Sequence, residues 1–458
     1  MATWVVKGLR RNVPTKERNA PEFLLNPDPT NQLTGTATEH QMIVFEIRTS
    51  AFITAAAVLT TSVNAWLPNT EPHALNERDN ETFVYPLRTE PNNKRWLPAT
   101  KKIRGVNLGS LFIYEPWIDS QEWANTGCEG EKSDFDCVMN KGQDITDKNF
   151  QAHWKRWINQ TDLDEMLSYG LNTIRVPLGY WLKEDLVDDS EHFPKRSRLL
   201  HHSLNKFIAY ANCKNSLHGV PGAQESNQPF TGQYAPTVGF YSDYNYGRAI
   251  EWLEWMTDII HTKKEYRNVG MLGLVNEPLN WDKAVDSLRK TYYPKACSAI
   301  RKVEDKLKVT SNNRLHIHMM GSLWGSGKPT EFLRDTSFTA FDDHRYLKWD
   351  TSVEASHGAY IKKSCSDDRN TDGPTIVGEW SLAVPDDVEK TDAWNPQTQK
   401  EFYTKWFSAQ VHAYEENTLG WVFWTWEASL GDDYRWSYRD AARAGVIPKD
   451  LDSLPSVC

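Results

Sequence analysis

Short apolar runs alternate with longer amphipathic stretches along most of the chain. The short runs have the length of buried strands, and the longer stretches repeat their apolar residues with helical spacing. The runs predict seven strands, at Ile103–Leu108, Thr173–Leu178, Val269–Val275, Leu315–Met320, Phe338–Phe341, Thr375–Val377 and Gly420–Trp424. The stretches predict helices, among them Asp162–Ser168, Tyr246–His261, Ala284–Leu307 and Gln399–Glu415. This alternation is typical of βα units that build a parallel sheet.

The long interval between Leu178 and Val269 has room for one more strand. Eight βα units predict a (β/α)8 TIM barrel, formed by a single α/β domain with loop insertions. The missing third strand should lead into Leu217, but residues 211–216 are too polar for a buried parallel strand, which normally reads as an apolar run. We therefore expect an atypical third strand and a barrel that folds poorly around it, because buried polar groups would lose their partners.

The first 65 residues predict an extension and a targeting segment rather than part of the barrel. Residues 1–41 are polar and rich in Pro and Asn, as in a disordered extension or a start codon placed too far upstream. Met42–Arg48 and Ala51–Val58 have the character of a signal peptide over 42–65 that is cleaved after Ala65. A membrane anchor is the alternative, but the apolar run is shorter than the roughly 18 residues that a span requires. The sequence thus predicts a secreted mature chain, 66–458, in the extracellular space or cell wall.

Cysteine number and position predict at least one disulfide. The chain has six cysteines, and Cys128 and Cys137 share one loop rich in Gly, Asp and Glu, which favours a local bond between them. The sequence leaves open the pairing of the other four, Cys213, Cys297, Cys365 and Cys458. Two acceptor sequons for N-glycosylation, at Asn80 and Asn159, suit a secreted glycoprotein.

The charge balance and the aromatic content narrow the function. The chain has 52 basic and 61 acidic residues, a net charge of −9, which argues against nucleic acid or an anionic membrane as a partner. The 20 tryptophans are unusual, because a Trp ring offers a flat apolar face with one polar N–H and suits the face of a sugar. A Trp-rich core is the alternative, and composition alone favours it.

The motifs of several other chemistries are missing from the sequence. Neither a phosphate-binding loop, a dinucleotide fingerprint, a serine-hydrolase elbow nor a zinc-protease motif occurs. His316 and His318 share one face of a predicted strand, but no carboxylate or thiolate stands at matching spacing. We expect no metal, no cofactor and a monomer.

Two glutamates stand where a TIM barrel places its reacting groups, at the carboxyl ends of strands. Glu277 follows the fourth strand and Glu379 ends the seventh. Polar and aromatic residues end other strands nearby, namely Arg175, Asn276, His344, Tyr346 and Trp424. Alone, each residue has a structural explanation as an ion-paired carboxylate, a buried histidine or a core tryptophan. Together they favour glycoside hydrolysis, in which one carboxylic acid protonates the leaving oxygen and the other carboxylate attacks carbon or activates water.

These motifs resemble glycoside hydrolase family 5, and within it the fungal β-glucanases. The family pattern is carried by Arg104–Gly109, Leu171–Trp181, Val275–Pro278 and Val377–Trp380. The endo-1,6-β-glucanase branch of the family is the most similar, on Trp66–Thr70, the Cys128–Cys137 loop, Phe230–Pro236, Asp342–Trp349, Trp421–Trp426 and Tyr434–Tyr438. The resemblance implies a β-glucan polysaccharide as substrate.

The resemblance also implies a role for each site residue. Glu277 would be the acid/base and Glu379 the nucleophile of a retaining double displacement, with carboxyl groups about 5–5.5 Å apart. Asn276 would hold the sugar 2-hydroxyl and Arg175 would stabilise the ionised nucleophile. Tyr346 would orient Glu379, and His344 and His218 would line the site. Trp424 would form the floor on which the sugar stacks. Three further tryptophans lie close enough in the sequence to be candidates for the cleft, namely Trp181, Trp421 and Trp426.

The chain departs from the family pattern between about Arg196 and Ser216, where Ser216 replaces the usual Asp. We hypothesise a frameshift or a mis-spliced exon there, which sequencing of the transcript tests. Three functions fit the sequence: a secreted retaining endo-β-1,6-glucanase, an exo-β-1,3-glucanase of the same family, and an inactive glucan-binding wall protein. The choice of linkage depends on loops, and the insert from Gly222 to Tyr244 lies where an open cleft and a closed pocket would differ.

Overall fold

A computed structural model describes residues 102–195, 212–280, 284–325, 327–370 and 372–458. The described residues belong to one compact unit of the chain. The predictions made for the extension 1–41, the signal peptide 42–65, the motif Trp66–Thr70 and the sequon at Asn80 lie outside them. None of the described helices is long and apolar enough to cross a membrane.

Eight parallel strands close into a barrel in chain order, and the first pairs with both the second and the eighth. They are β1 Ile103–Asn107, β2 Thr173–Gly179, β3 Asn212–Gly219, β4 Val269–Gly273, β5 His316–Met320, β6 Thr339–Arg345, β7 Thr375–Trp380 and β8 Gly420–Phe423. The predicted TIM barrel is confirmed, and each of the seven strands predicted from apolar runs is present within a few residues of its expected bounds.

Helices between the strands form the outer layer of the barrel. They are α1 Ser120–Asn125, α2 Asp134–Lys141, α3 Gln143–Arg156, α4 Gln160–Ser168, α5 Asp243–Thr262, α6 Ala284–Ser287, α7 Tyr293–Lys306, α8 His357–Cys365, α9 Lys400–Asn417 and α10 Tyr438–Arg443. At α4, Asn159 and Asp162 form a reciprocal capping box, which satisfies free N–H groups of the first turn.

The helix predicted over Ala284–Leu307 is divided. A π-helical segment, Leu288–Tyr292, separates α6 from α7. Pro294 lies in the first turn of α7, where the absence of its N–H removes a hydrogen bond that a continuous α-helix would need. The other three predicted helices are present as α4, α5 and α9.

Strand β3 occupies the position predicted for the missing strand. Residues 212–216 form part of it, so the expectation that they are too polar for a buried strand is wrong. Residues Thr173 to Leu178 of β2 pair in register with Asn212 to Leu217. Because side chains alternate across a strand, Lys214 points into the barrel, where it forms an ion pair with Asp342 of β6. Asn215 points outward and donates to the Met256 sulfur at 3.7 Å. The charge of Lys214 is tolerated because Asp342 supplies a partner, whereas Asn215 Oδ1 has no hydrogen-bond partner among the described residues.

Most of the tryptophans described are packing residues. Trp181, Trp421 and Trp426, expected as cleft candidates, are fully buried in the core. Trp380 packs edge-on against Trp421, with ring centroids 5.5 Å apart. Trp181 lies over Gly179, Gly219 and Gly232, where an added Cβ would come within 2.1–2.3 Å of its ring. Glycine is required at these three positions because a side chain would displace the indole.

Two disulfides tie the described chain. The predicted bond between Cys128 and Cys137 is confirmed, with Cα atoms 5.2 Å apart. A second bond joins Cys365, at the end of α8, to the C-terminal Cys458 across 93 residues. Cys297 is a buried free thiol.

Candidate active site

A cavity of about 630 Å³ opens at the carboxyl ends of the strands. Both predicted glutamates line it, together with residues that end β3, β4, β6 and β8. Its lining includes His218, Asn276, Glu277, Tyr346, Glu379 and Trp424 from strand ends, and Glu115, Trp117, Phe230, Trp324, Trp349 and Trp436 from loops. The cavity therefore lies where a TIM barrel carries its active site.

Glu379, on β7, is held as an anion by donors on both carboxylate oxygens. Arg175 donates to Oε1 at 2.6 Å, and the Tyr346 hydroxyl donates to Oε2 at 3.0 Å. His218 Nε2 lies 3.4 Å from Oε1. Burial alone would raise the pKa of Glu379, but the positive charges of His344 and Arg175 hold that pKa below its usual value. The carboxylate is thus ionised and fixed in orientation.

Glu277 follows β4 in a strained backbone conformation, with φ at +41°. Its Oε1 lies 2.6 Å from His344 Nδ1. Burial raises the pKa of Glu277, and the hydrogen bond and charge of His344 oppose that effect only in part. Glu277 therefore retains a proton to higher pH than Glu379 does. One oxygen of each carboxylate lies within 4.8 Å of the other.

The segment around Glu277 is fixed by residues that the sequence did not indicate. The amide of Gln224 donates to the carbonyl of Asn276 at 2.9 Å. The backbone N–H of Leu279 donates to the Tyr241 hydroxyl at 2.6 Å. Gln224 and Tyr241 come from the long connection between β3 and α5, so this insert supports the strained glutamate.

Arg175, fully buried on β2, connects four strands beneath the cavity. Its Nη1 donates to Asn107 Oδ1 at 2.8 Å as well as to Glu379. Its Nη2 donates to Asn276 Oδ1 at 2.7 Å and to Asp342 Oδ2 at 3.3 Å. Burial opposes its charge, but the neighbouring carboxylates of Asp342 and Glu379 raise the pKa of Arg175, so it stays a cation. It fixes the nucleophile candidate and the amide beside it in one arrangement.

The two histidines of the site differ in charge. Burial opposes protonation of His344, but Glu379, Asp342 and Glu277 together raise its pKa to about 10. Burial and the nearby charge of Arg175 lower the pKa of His218 to about 4. Between these values His344 is a cation and His218 is neutral.

Trp424 and a group of loop aromatics shape the cavity. Trp424 is buried at the end of β8, and its ring lies nearly parallel to that of His218, with centroids 6.0 Å apart. The peptide bond between Trp424 and Thr425 is cis. In the same cavity lining, Trp349 contacts both Tyr346 and Trp436, at centroid distances of 5.0 and 6.0 Å. These rings give the cavity a floor and one aromatic wall, surfaces that bind sugar faces.

One group of side chains among the described residues has the geometry of a metal site. Ligand atoms of Glu277, His344 and Glu379 lie within 4.8 Å of one another. A metal needs a neutral imidazole, whereas His344 is protonated up to about pH 10. This group fits a metal poorly, and the expectation of no metal stays a prediction.

All eight residues predicted for the site lie together at the carboxyl end of the barrel: Arg175, His218, Asn276, Glu277, His344, Tyr346, Glu379 and Trp424. Sequence reasoning missed Asn107, Asp342 and Lys214 as members of the polar network, and Glu115 as a buried carboxyl group in the cavity lining. Asn107 ends β1 and Asp342 lies in the middle of β6. Both stand in the motifs Arg104–Gly109 and Asp342–Trp349, which were a usable signal. Glu115 is buried beside the cavity and accepts from the Trp117 indole at 2.9 Å, and burial raises the pKa of Glu115 to about 8.

The barrel and its paired glutamates define a glycoside hydrolase. The chain belongs to the cellulase family, glycosyl hydrolase family 5, whose model matches residues 138–429. Its relatives include glucan endo-1,6-beta-glucosidase B of Emericella nidulans, which is 54% identical over 393 residues, 85% of this chain and 95% of the relative.

More distant similarities support the same architecture. The glucan 1,3-beta-glucosidase of Blumeria graminis is 28% identical over 78% of this chain and 90% of that protein. The crystal structure of rutinosidase from Aspergillus niger superposes with a TM-score of 0.59 at 18% identity, over 76% of this chain and 98% of the other. At that identity the structural likeness shows the fold alone.

Proposed function

We propose that this protein is a secreted, retaining endo-β-1,6-glucanase that acts on β-glucan. The observation that carries the proposal is a pair of close carboxylates at the carboxyl end of the barrel, whose pKa values are shifted in opposite directions. Glu379 is held ionised, whereas burial raises the pKa of Glu277, and their nearest oxygens are no more than 4.8 Å apart. Inverting enzymes separate the two carboxyl groups by about 6.5–9.5 Å to admit a water, so this spacing supports a double displacement.

In the proposed mechanism, Glu379 attacks the anomeric carbon while Glu277 gives its proton to the departing glycosidic oxygen. The products of this step are a covalent glycosyl ester on Glu379 and the released chain. Glu277, now ionised, then takes a proton from water, which attacks the same carbon and frees Glu379. The charge of His344 and the donors from Arg175 and Tyr346 stabilise Glu379 whenever it carries its charge.

The contacts to the sugar are inferred from polar atoms and ring faces of the cavity that the protein's own hydrogen bonds do not use. Arg175 occupies Oδ1 of Asn276, so the amide Nδ2 is oriented to donate to the 2-hydroxyl of the bound sugar. Trp424 would stack beneath the ring, and His218, packed parallel to that indole, would keep it in place. Hydrogen bonds to the 2-hydroxyl that strengthen in the transition state contribute to glycosidase catalysis.

The proposal that the enzyme cleaves internal β-1,6 linkages is supported by the names of its relatives. The Emericella nidulans enzyme named for endo-1,6 cleavage is 54% identical, and the Blumeria graminis enzyme named for 1,3 cleavage is 28% identical. An exo-β-1,3-glucanase is the second candidate, because it would use the same two glutamates. A glucan-binding wall protein without activity is less consistent with an intact pair of close carboxylates whose pKa values are shifted in opposite directions.

Hydrolysis of linear β-1,6-glucan and of linear β-1,3-glucan, followed by the product profile, tests these candidates. We expect a ladder of short β-1,6-oligosaccharides early in the reaction, with the β-anomer formed first in NMR spectra. Glucose as the sole product from β-1,3-glucan would establish the exo enzyme instead. Binding without turnover would favour the wall protein, and a variant Glu379→Gln serves as the inactive reference.

Secretion is supported by the two disulfides, because such bonds persist in oxidising compartments. We expect protein recovered from the culture medium to begin at Trp66 and to run as a monomer. N-terminal sequencing and size-exclusion chromatography test both points, and an uncleaved, cell-associated chain would favour the anchor.

A further inference from the structure

Lys214 is a charged residue in the middle of a barrel strand, and its side chain is fully buried. Its ammonium group forms an ion pair with Oδ2 of Asp342, across the barrel interior from β3 to β6. A parallel strand buried on both faces is normally a run of apolar residues, so a lysine within it is unusual. A buried lysine is stable only when a partner offsets the loss of water, and Asp342 is that partner.

Asp342 also lies beside the arginine that holds the nucleophile candidate. Arg175 Nη2 is 3.3 Å from Asp342 Oδ2, the same oxygen that Lys214 contacts, and Arg175 Nη1 is 2.6 Å from Glu379 Oε1. The other oxygen, Oδ1, has no hydrogen-bond partner among the described residues. Lys214 and Arg175 thus contact the same carboxylate oxygen, and the ammonium group offsets charge that Arg175 would otherwise offset alone.

The backbone beneath Glu379 is shaped to admit this ion pair. A Cβ on Gly378 would lie 1.8 Å from Asp342 Oδ1 and 3.0 Å from Lys214 Nζ. Gly378 directly precedes Glu379, so the pair packs against the peptide that carries the nucleophile candidate. The charge of Asp342 is therefore close enough to affect both the position and the ionisation of Glu379.

We propose that Lys214 is a positioning residue for hydrolysis, which neutralises Asp342 and thereby leaves Arg175 to hold Glu379. This inference rests on the function proposed above for Glu379 and on a transcript that encodes Lys214 as written, not on the frameshift hypothesised for residues 196–216. Without the ammonium group, two buried carboxylates would share Arg175, and the guanidinium would move toward Asp342. Glu379 would then lose part of its stabilisation as an anion. Burial lowers the pKa of Lys214 to about 7, partly offset by Asp342, so the role operates at acidic pH.

A double-mutant test separates this role from a merely structural one. The probe is an activated 2-deoxy-2-fluoro-β-glucoside, in which Glu379 forms an ester bond to the anomeric carbon as dinitrophenolate leaves. Mass spectrometry gives the labelling rate and the labelled residue at pH 5. We expect Lys214→Met to slow labelling about tenfold, within the range of coupling between adjacent charges. The double variant Lys214→Met/Asp342→Asn should recover most of that rate, because the competing charge is gone.

Two further measurements complete the test. In a plot of kcat/KM against pH, the acidic limb of Lys214→Met should lie at higher pH than that of the wild type. The acidic limb of the double variant should lie close to that of the wild type again. Lys102→Met is the matched control, since Lys102 contacts the Thr418 carbonyl at the opposite end of the barrel. Its labelling rate should stay within about twofold of the wild type.

Three results would overturn the inference: an unchanged labelling rate in Lys214→Met, a double variant no faster than Lys214→Met, or an equal loss in Lys102→Met. If Lys214→Met does not fold, the double variant and Asp342→Asn alone are compared. Equal labelling of those two supports the role, and a large difference between them contradicts it. A wild type that is labelled elsewhere than at Glu379, or not at all, would refute the proposed function itself.

Discussion

His344 Nδ1 lies 2.6 Å from Glu277 Oε1, which places a buried imidazolium directly against the proposed acid/base. The same nitrogen is 3.5 Å from Glu379 Oε2. One positive charge therefore lowers the pKa of both carboxyl groups while burial raises it. Of the two glutamates, only Glu379 accepts a hydrogen bond from Arg175. The opposite pKa shifts of the pair therefore depend on Arg175 as well as on the shared cation.

Replacement of His344 by Gln should raise the pKa of both glutamates. Both limbs of kcat/KM against pH would move to higher pH, and the rate near pH 5 should fall by about 10- to 100-fold, because Glu379 is then partly protonated. The pH profile of the purified variant measures this. His357→Gln, a half-buried histidine that does not line the cavity, is the control. Limbs that stay in place would show that His344 does not set the protonation of the pair.

The protonated form of His344 should also make the stability of the protein depend on pH. A histidine whose pKa rises to about 10 in the folded state stabilises it fully below the unfolded value, and that stabilisation is lost as pH rises toward 10. The difference in unfolding free energy between wild type and His344→Gln should thus be largest below about pH 6.5. Denaturant titrations at several pH values measure it. A difference that stays constant from pH 6 to 10 would contradict the assignment.

The two glutamates should respond differently to removal. Glu379→Gln should lose at least about 10³-fold in kcat, because no other group can form the covalent intermediate. Glu277→Ala should retain turnover of an aryl glucoside with a good leaving group, which needs no proton, and azide should accelerate that turnover. Glu416→Gln, on the exposed face of α9, is the control. Azide rescue in the Glu379 variant and not in the Glu277 variant would exchange the two roles.

Much of this site follows from the sequence because barrel topology gathers strand ends. Glu277 and Glu379 are 102 residues apart, yet each directly follows or ends an apolar run, and that position alone predicts that they meet. The expectation that a buried parallel strand must be an apolar run was wrong for β3, because the residue that compensates the polar side chain is distant in the sequence. Lys214 is tolerated because Asp342, 128 residues away, faces it across the barrel. The partner of Cys365 was beyond prediction for the same reason, since Cys458 reaches it only through the folded chain.

The tryptophans show a second limit of sequence reasoning. Trp421 and Trp424 lie three residues apart near the same strand, yet Trp421 packs in the core and Trp424 lines the cavity. The ring type is the same, and the direction of each side chain from the strand decides its role. Composition alone therefore cannot divide the 20 tryptophans between packing and binding.

The aromatic wall should contribute to binding of the polymer more than to the chemical step. Trp349 is 61% exposed at the cavity, so its ring is available to stack on a sugar beyond the scissile bond. Trp349→Ala should raise KM for the polysaccharide about 5- to 20-fold and leave kcat within about twofold, as expected when an interaction is equal in ground and transition states. Tyr244→Ala, an exposed aromatic outside the cavity, is the control. A fall in kcat with constant KM would place Trp349 at the reacting sugar instead.

The bond between Cys365 and Cys458 should be a main determinant of stability for the C-terminal part of the barrel. It closes a span of 93 residues that contains β7, α9 and β8, and so constrains the unfolded chain strongly. Loop entropy predicts that Cys458→Ser lowers the unfolding free energy by about 2–4 kcal/mol. Opening the Cys128–Cys137 loop, nine residues apart, should cost less. Urea titrations of Cys458→Ser and Cys137→Ser measure both, and a larger loss for the short loop would show that local packing rather than chain entropy governs these bonds.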